Sequence, residues 1–148
     1  FPATPPQAID MPADIADALG AAPVRAGKSR FDGLFELESP AALRALQPDI
    51  SRIARLELRG VIVTSVSDTP GIDFLSRFFA PSVGVPEDPV TGSAHCALAP
   101  YWAERLGKSA MVGYQASPRG GMVYVELAGD RVRLGGHAVT VLRGSLAV

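Results

Sequence analysis

The chain has 148 residues, 14 basic and 15 acidic side chains, a net charge of −1 and 47% hydrophobic residues. That length suits one domain with a true core, and charges spread without blocks exclude the basic face that nucleic acid or an anionic membrane surface needs. The single Cys96 excludes an internal disulfide and a cysteine-rich zinc site, and no apolar run approaches the ~18 residues of a membrane span. The expectation is a cytoplasmic protein with no nucleic-acid, membrane or metal partner. It begins at Phe1 rather than at methionine, which reads as a sequence that has been cut, processed or separated from something upstream.

Residues 1–8 are proline-rich and predicted extended. Asp10 is placed as the cap of a helix through Leu19, with Ile15, Ala18 and Leu19 inward and Gly20 as its stop. Val24 to Arg30 and Leu34 to Glu38 read as strands around an Asp32-Gly33 turn. Ser39-Pro40 opens a helical turn with Leu43 and Leu46 facing in. A second helix is expected from Asp49 to Leu56, and Arg44, Arg52 and Arg55 form a solvated face. Gly60 to Val66 is the clearest buried strand, a β-branched run, and Asp73 to Phe79 is the next. Arg77 is expected to pair with Asp73 or Glu87, while Phe78 and Phe79 fill the core. The last third alternates as strands at Ala110–Gln115, Gly121–Leu127, Arg131–Leu134 and His137–Arg143, with Gly129-Asp130 as a hairpin turn. His137 is expected to be structural.

The stretch from Val85 to Lys108 organises the rest. Glu87 and Asp88 lie between Pro86 and Pro89, a stiff acidic elbow. Thr91, Gly92 and Ser93 follow, and then apolar residues at Ala94, Leu98, Tyr101, Trp102 and Leu106 recur at helical spacing. Thr91 or Ser93 is the expected N-cap and Gly107 the stop. Pro100 has no N–H for the carbonyl of Cys96 and predicts a kink or restart. His95 in the first turn is expected to be neutral and structural, because a cation there opposes the helix dipole. Cys96 reads as a small buried hydrophobe.

Free N–H groups and the dipole make such a helix start an anion site, and Gly92 allows close approach. No lysine or arginine lies between Asp88 and Glu104, and the Walker ending is missing. A single carboxylate is therefore the expected ligand, with Asp88 meeting an ammonium or hydroxyl. The same residues also read as an ordinary capped helix. Arg119, Gly120 and Gly121 reach a cleft rim or form a plain glycine turn; both readings stay open.

The run Glu87-Asp88-Pro89-Val90-Thr91-Gly92-Ser93-Ala94-His95-Cys96 resembles the signature of the PhzF-like isomerase family of phenazine biosynthesis, which has the diaminopimelate-epimerase-like fold. The likeness extends through 73–81, 116–121 and 129–132, and Phe1 to Pro6 resemble the family's crossover between two domains. The resemblance implies an α+β half, a curved mixed/antiparallel sheet wrapped around a central helix. It implies a crossover at 1–8, and at 9–148 the C-terminal domain of a two-domain isomerase whose N-terminal domain is absent from this sequence.

The implied activity is proton abstraction and redelivery on a small carboxylate-bearing substrate, with no metal or organic cofactor. Asp88 and Ser93 match the family's second-domain catalytic residues, while its general base is a glutamate of the first domain. Thr91, Gly92, Ser93, Asp88, Arg119 and Gly120 are the expected substrate-binding residues. The expected partners are the N-terminal domain, in the same polypeptide or a separate chain, and a second copy in a homodimer. A non-catalytic ligand-binding or dimerising domain of the same fold is the alternative. A racemase using Cys96 is weaker, since one cysteine cannot form a two-base pair.

Overall fold

Side-chain alternation along the middle strands sets the architecture in the computed structural model, which describes residues 1–147. In β3 (Asp32–Glu36), β4 (Gly60–Val66) and β5 (Phe74–Phe79) every residue except Val66 is buried. Successive residues of a strand point to opposite faces, so these strands feed two cores. Leu34, Ile62, Phe74 and Phe78 join one; Phe35, Val61, Val63, Leu75 and Phe79 join the other. The first core closes on the helix α4 (Gly92–Leu106). The second closes on three short helices, α1 (Ile15–Leu19), α2 (Pro40–Arg44) and α3 (Ile50–Ile53). Each large apolar side chain buried this way contributes about 1.5–3 kcal/mol.

Together with β1 (Gln7–Ala8), β2 (Arg25–Lys28), β6 (Ala110–Gln115), β7 (Gly121–Ala128) and β8 (Arg131–Gly135), the strands form one open eight-stranded sheet in sequence order. The β3–β4 and β5–β6 pairs are parallel and the other five antiparallel. The sheet curls around α4, which is buried on nearly every side from Ala94 to Trp102. Trp102 stacks on Phe74 at 6.0 Å, and its indole N–H donates to Thr64 Oγ1 at 2.9 Å, so the polar end is satisfied within the core.

Residues 1–8 lace the two edges of the sheet together. Pro2 bridges to Arg131 beside β8, while Gln7 and Ala8 pair with β2. Between them, the Thr4 N–H donates to the Cys96 carbonyl at 3.0 Å. This is the carbonyl that Pro100 leaves without its helical donor. Here the expected restart is corrected: α4 runs as one 15-residue helix through Pro100. The missing bond is replaced from outside the helix.

Several local expectations change for similar reasons. Asp32-Gly33 is not a turn but the start of β3. The reversal is Ser29–Phe31, with Ser29 N–H donating to the Asp32 carbonyl at 2.9 Å and Asp32 N–H to Ser29 Oγ at 3.1 Å. Long-range pairing of β3 with β4 overrides the local turn preference. The first helix starts at Ile15 after Asp14, not at Asp10, although Ile15, Ala18 and Leu19 are inward and Gly20 ends it as expected. The Asp49 helix is a single turn ending at Ile53. His137–Arg143 is not a strand: β8 ends at Gly135, no edge among the described residues takes the segment up, and Val139, Val141 and Leu142 are exposed. Among the described residues, no helix is long and apolar enough to cross a membrane.

Candidate functional site

The acidic elbow is built from the end of β5. Asp88 N–H donates to the Phe78 carbonyl at 3.0 Å. Glu87 turns away and accepts a forked pair from Arg77 at 2.7 and 2.8 Å, and Arg77 also donates to the Leu46 carbonyl at 2.7 Å. Both side chains are largely buried, so this pair anchors the elbow and is not a ligand group. It is the structural ion pair expected for Arg77, with Glu87 as its partner rather than Asp73.

Asp88 faces the helix start. Its carboxylate accepts a short hydrogen bond from the Thr91 hydroxyl. Thr91 occupies the N-cap position, yet its side chain does not cap the helix. The hydroxyl is turned back to Asp88, and the N–H groups of Gly92, Ser93 and Ala94 meet no acceptor among the described residues. Gly92 and Ser93 are exposed. Unsatisfied amides at the positive end of a 15-residue helix, with a glycine in front, form an anion receptor. The cap expected of Thr91 or Ser93 is thus replaced by an open helix end.

Gln115, fully buried on β6, locks this arrangement. Its Nε2 donates to the Asp88 carbonyl at 2.6 Å and to Thr91 Oγ1 at 3.2 Å, and its Oε1 accepts from Thr91 N–H at 2.8 Å. No local pattern points to Gln115, which lies 24 positions from Thr91. The loop after β6 is tied to the same elbow: Ser117 Oγ donates to the Pro89 carbonyl at 2.9 Å and accepts from Gly120 N–H at 3.1 Å. Gly120 has φ +70°, and a Cβ there would fall 2.1 Å from the Tyr114 hydroxyl, so any other residue is strained and must displace Tyr114. Arg119 is exposed and makes no hydrogen bond or ion pair with Asp88 or Ser93.

A cationic neighbour also went unread. Arg59, just before β4, donates from Nη2 to Ser93 Oγ at 3.1 Å while gripping Asp32 at 2.6 and 2.8 Å. The chain segment around Ser93 holds no such charge; the fold supplies it from 34 positions away.

Two further groups are structural. His95 is fully buried, its Nδ1 lies 2.8 Å from the Thr91 carbonyl, and burial holds its pKa below the ordinary value. Cys96 is buried, and burial pushes its thiol up, away from a reactive thiolate. A cavity of about 580 Å³ lies elsewhere, along the C-terminal half of α4, lined by Pro6, Ile9, Val24, Arg25, Tyr101 and Arg105 among others. It is separate from the elbow. Among the described residues no group of three or more His, Cys, Asp or Glu side chains is placed to hold a metal.

An open mixed sheet curled around one buried helix is the α+β half-domain of the diaminopimelate-epimerase-like class. Residues 9–144 match the family model PhzC-PhzF, described as phenazine biosynthesis-like protein. The chain is 50% identical over 147 residues to an uncharacterized isomerase of Halalkalibacterium halodurans, covering 99% of this chain and 56% of the relative. It is 49% identical over 146 residues to one of Pseudomonas aeruginosa, covering 99% and 55%. The structure superposes on a PhzF-family protein of Enterococcus faecalis with a TM-score of 0.87 at 40% identity, covering 92% of this chain and 52% of that one. A putative PhzC/PhzF protein of Clostridium difficile matches with 0.87 at 36%, covering 100% and 56%. The chain belongs to the PhzC-PhzF family, and it spans about half the length of the curated relatives it matches.

Proposed function

We propose that residues 9–148 are the second domain of a two-domain PhzF-like isomerase, that residues 1–8 are the crossover from its first domain, and that this chain supplies the carboxylate-binding half of the active site. One observation carries the reading. The Thr91 hydroxyl is spent on Asp88, so the amides of Gly92, Ser93 and Ala94 stand open beside a fixed carboxylate. Anion receptor and acid side by side suit a small substrate with a carboxylate at one end and an ammonium or hydroxyl near it. The helix start and Ser93 hold the substrate carboxylate and any enolate-like charge that develops on it. Asp88 orients the neighbouring group or relays a proton. The general base comes from the other domain, as in the family this chain resembles.

The test uses the natural full-length polypeptide in D2O with a panel of small amino, hydroxy and unsaturated carboxylic acids. Deuterium entering the carbon next to the carboxylate of at least one acid is the expected result. Binding without exchange supports a non-catalytic ligand-binding domain instead. Neither binding nor exchange across the panel contradicts both.

A further inference from the structure

We propose that Arg59 is a positioning residue that makes Ser93 a hydrogen-bond donor toward the ligand, so that the carboxylate end of the substrate is bound at Ser93 and the ammonium or hydroxyl end at Asp88. The proposal rests on the carboxylate-site reading above and adds the residue that sets the polarity of the site.

What each group can donate sets the direction of the bond. A guanidinium has only N–H donors and stays protonated in proteins. The Arg59 Nη2–Ser93 Oγ bond at 3.1 Å therefore has Ser93 as acceptor. A serine hydroxyl carries one proton, and with Arg59 occupying a lone pair that proton points elsewhere. Ser93 is exposed and makes no other side-chain hydrogen bond among the described residues, so its proton is available to a ligand oxygen. A carboxylate accepts it and meets the charge of Arg59 favourably; an ammonium is left only the second lone pair, against that charge.

Arg59 is itself fixed. Nε and Nη2 form a fork on the two oxygens of Asp32 at 2.8 and 2.6 Å, and the Asp32 side chain is 2% exposed. The guanidinium also lies 4.9 Å from the centre of the Phe31 ring, and the Arg59 carbonyl accepts from Ser82 Oγ at 2.8 Å. A buried acid from β3, an arginine from the segment before β4 and a serine from α4 thus form one chain of hydrogen bonds ending at the open helix start. An ion pair serving stability alone has no need of the third member.

Removing Arg59 alone strands a buried Asp32, so the working variant is the pair Asp32→Asn/Arg59→Met, with unchanged far-UV circular dichroism as the check on folding. The probe is acetate, titrated at constant ionic strength into the ¹⁵N-labelled natural polypeptide while the Gly92, Ser93 and Ala94 amide shifts are followed. Saturable shifts at these amides in the wild type, about tenfold weaker binding in the pair and in Ser93→Ala, and no further loss when all three changes are combined support the proposal. Wild-type affinity in the pair overturns it, as do losses that multiply in the combined variant, because Arg59 then acts independently of Ser93. No acetate response in the wild type overturns the carboxylate site itself and this inference with it. Arg59→Lys, which keeps the charge opposite Asp32 but loses the fork, is expected to fold like the wild type and bind acetate as weakly as the pair; wild-type affinity there also counts against the role.

Discussion

The burial of His95 leads to a specific acid response. Its ring is fully buried and packs 6.0 Å from the centre of Phe74. Nδ1–H donates to the Thr91 carbonyl, which leaves Nε2 unprotonated and without a partner among the described residues. Protonating Nε2 would place a charge and an unmet donor in the core, so burial lowers the folded-state pKa below the ordinary 6.5. The unfolded chain then takes up the proton first as pH falls. Stability is complete above about pH 6.5 and declines below it until the folded pKa is reached, at about 1.4 kcal/mol per pH unit. Between about pH 7.5 and about pH 5.5 the loss is up to about 1.4 kcal/mol. Carboxylates with depressed values, such as Asp68 at about 2, act at lower pH and do not enter this window. Urea unfolding of the wild type and His95→Gln at both pH values isolates the term, because contributions from every other group cancel in the difference. The variant should be less stable at neutral pH and lose markedly less on acidification. Equal losses in the two proteins would refute the buried neutral imidazole.

Three other perturbations follow from the same packing. Thr4→Pro removes the N–H that meets the Cys96 carbonyl and should cost about 1–3 kcal/mol, whereas Thr4→Ala keeps the backbone donor and should cost little; equal effects in urea melts would discount that bond. Arg77→Met strands Glu87 at the elbow and should cost about 3–5 kcal/mol, most of it recovered in Arg77→Met/Glu87→Leu; no recovery would mean the arginine matters for packing alone. Gln115→Leu leaves Thr91 N–H and the Asp88 carbonyl unmet, a cost of about 1–3 kcal/mol, and should abolish deuterium exchange through misplacement of Asp88; retained exchange would remove Gln115 from the site's support.

What could be read from the sequence depended on how local each cause was. Gly60–Val66 was legible because a β-branched run buried on both faces needs no partner to declare it. The elbow, the helix start at Gly92 and the stop at Gly107 were legible because prolines, small polar residues and glycine fix them within a few positions. Asp32-Gly33 misled because turn residues are a local signal, whereas pairing with β4 and the Arg59 fork are long-range. The restart expected at Pro100 failed in the same way, since the donor that meets the Cys96 carbonyl comes from Thr4, far off in the chain. His137–Arg143 has the alternation of a strand, but alternation describes a face and not the edge that would pair with it. At the site, Asp88, Thr91, Gly92 and Ser93 were visible as one run. Gln115 and Arg59 became visible only when the sheet brought β6 and the start of β4 to the end of α4.

The central claim is that Asp88 and Ser93 serve chemistry rather than folding. The most direct measurement is deuterium exchange into the best acid of the panel by the natural polypeptide and by its Asp88→Asn and Ser93→Ala variants, with thermal melts of all three. Both variants are expected to lose exchange by about a hundredfold or more, consistent with loss of a proton-transfer or charge-stabilising group, while their melting temperatures stay close to the wild type. Wild-type exchange in either variant would contradict the role assigned to that residue, and a large fall in melting temperature would return the elbow and helix start to a purely structural part.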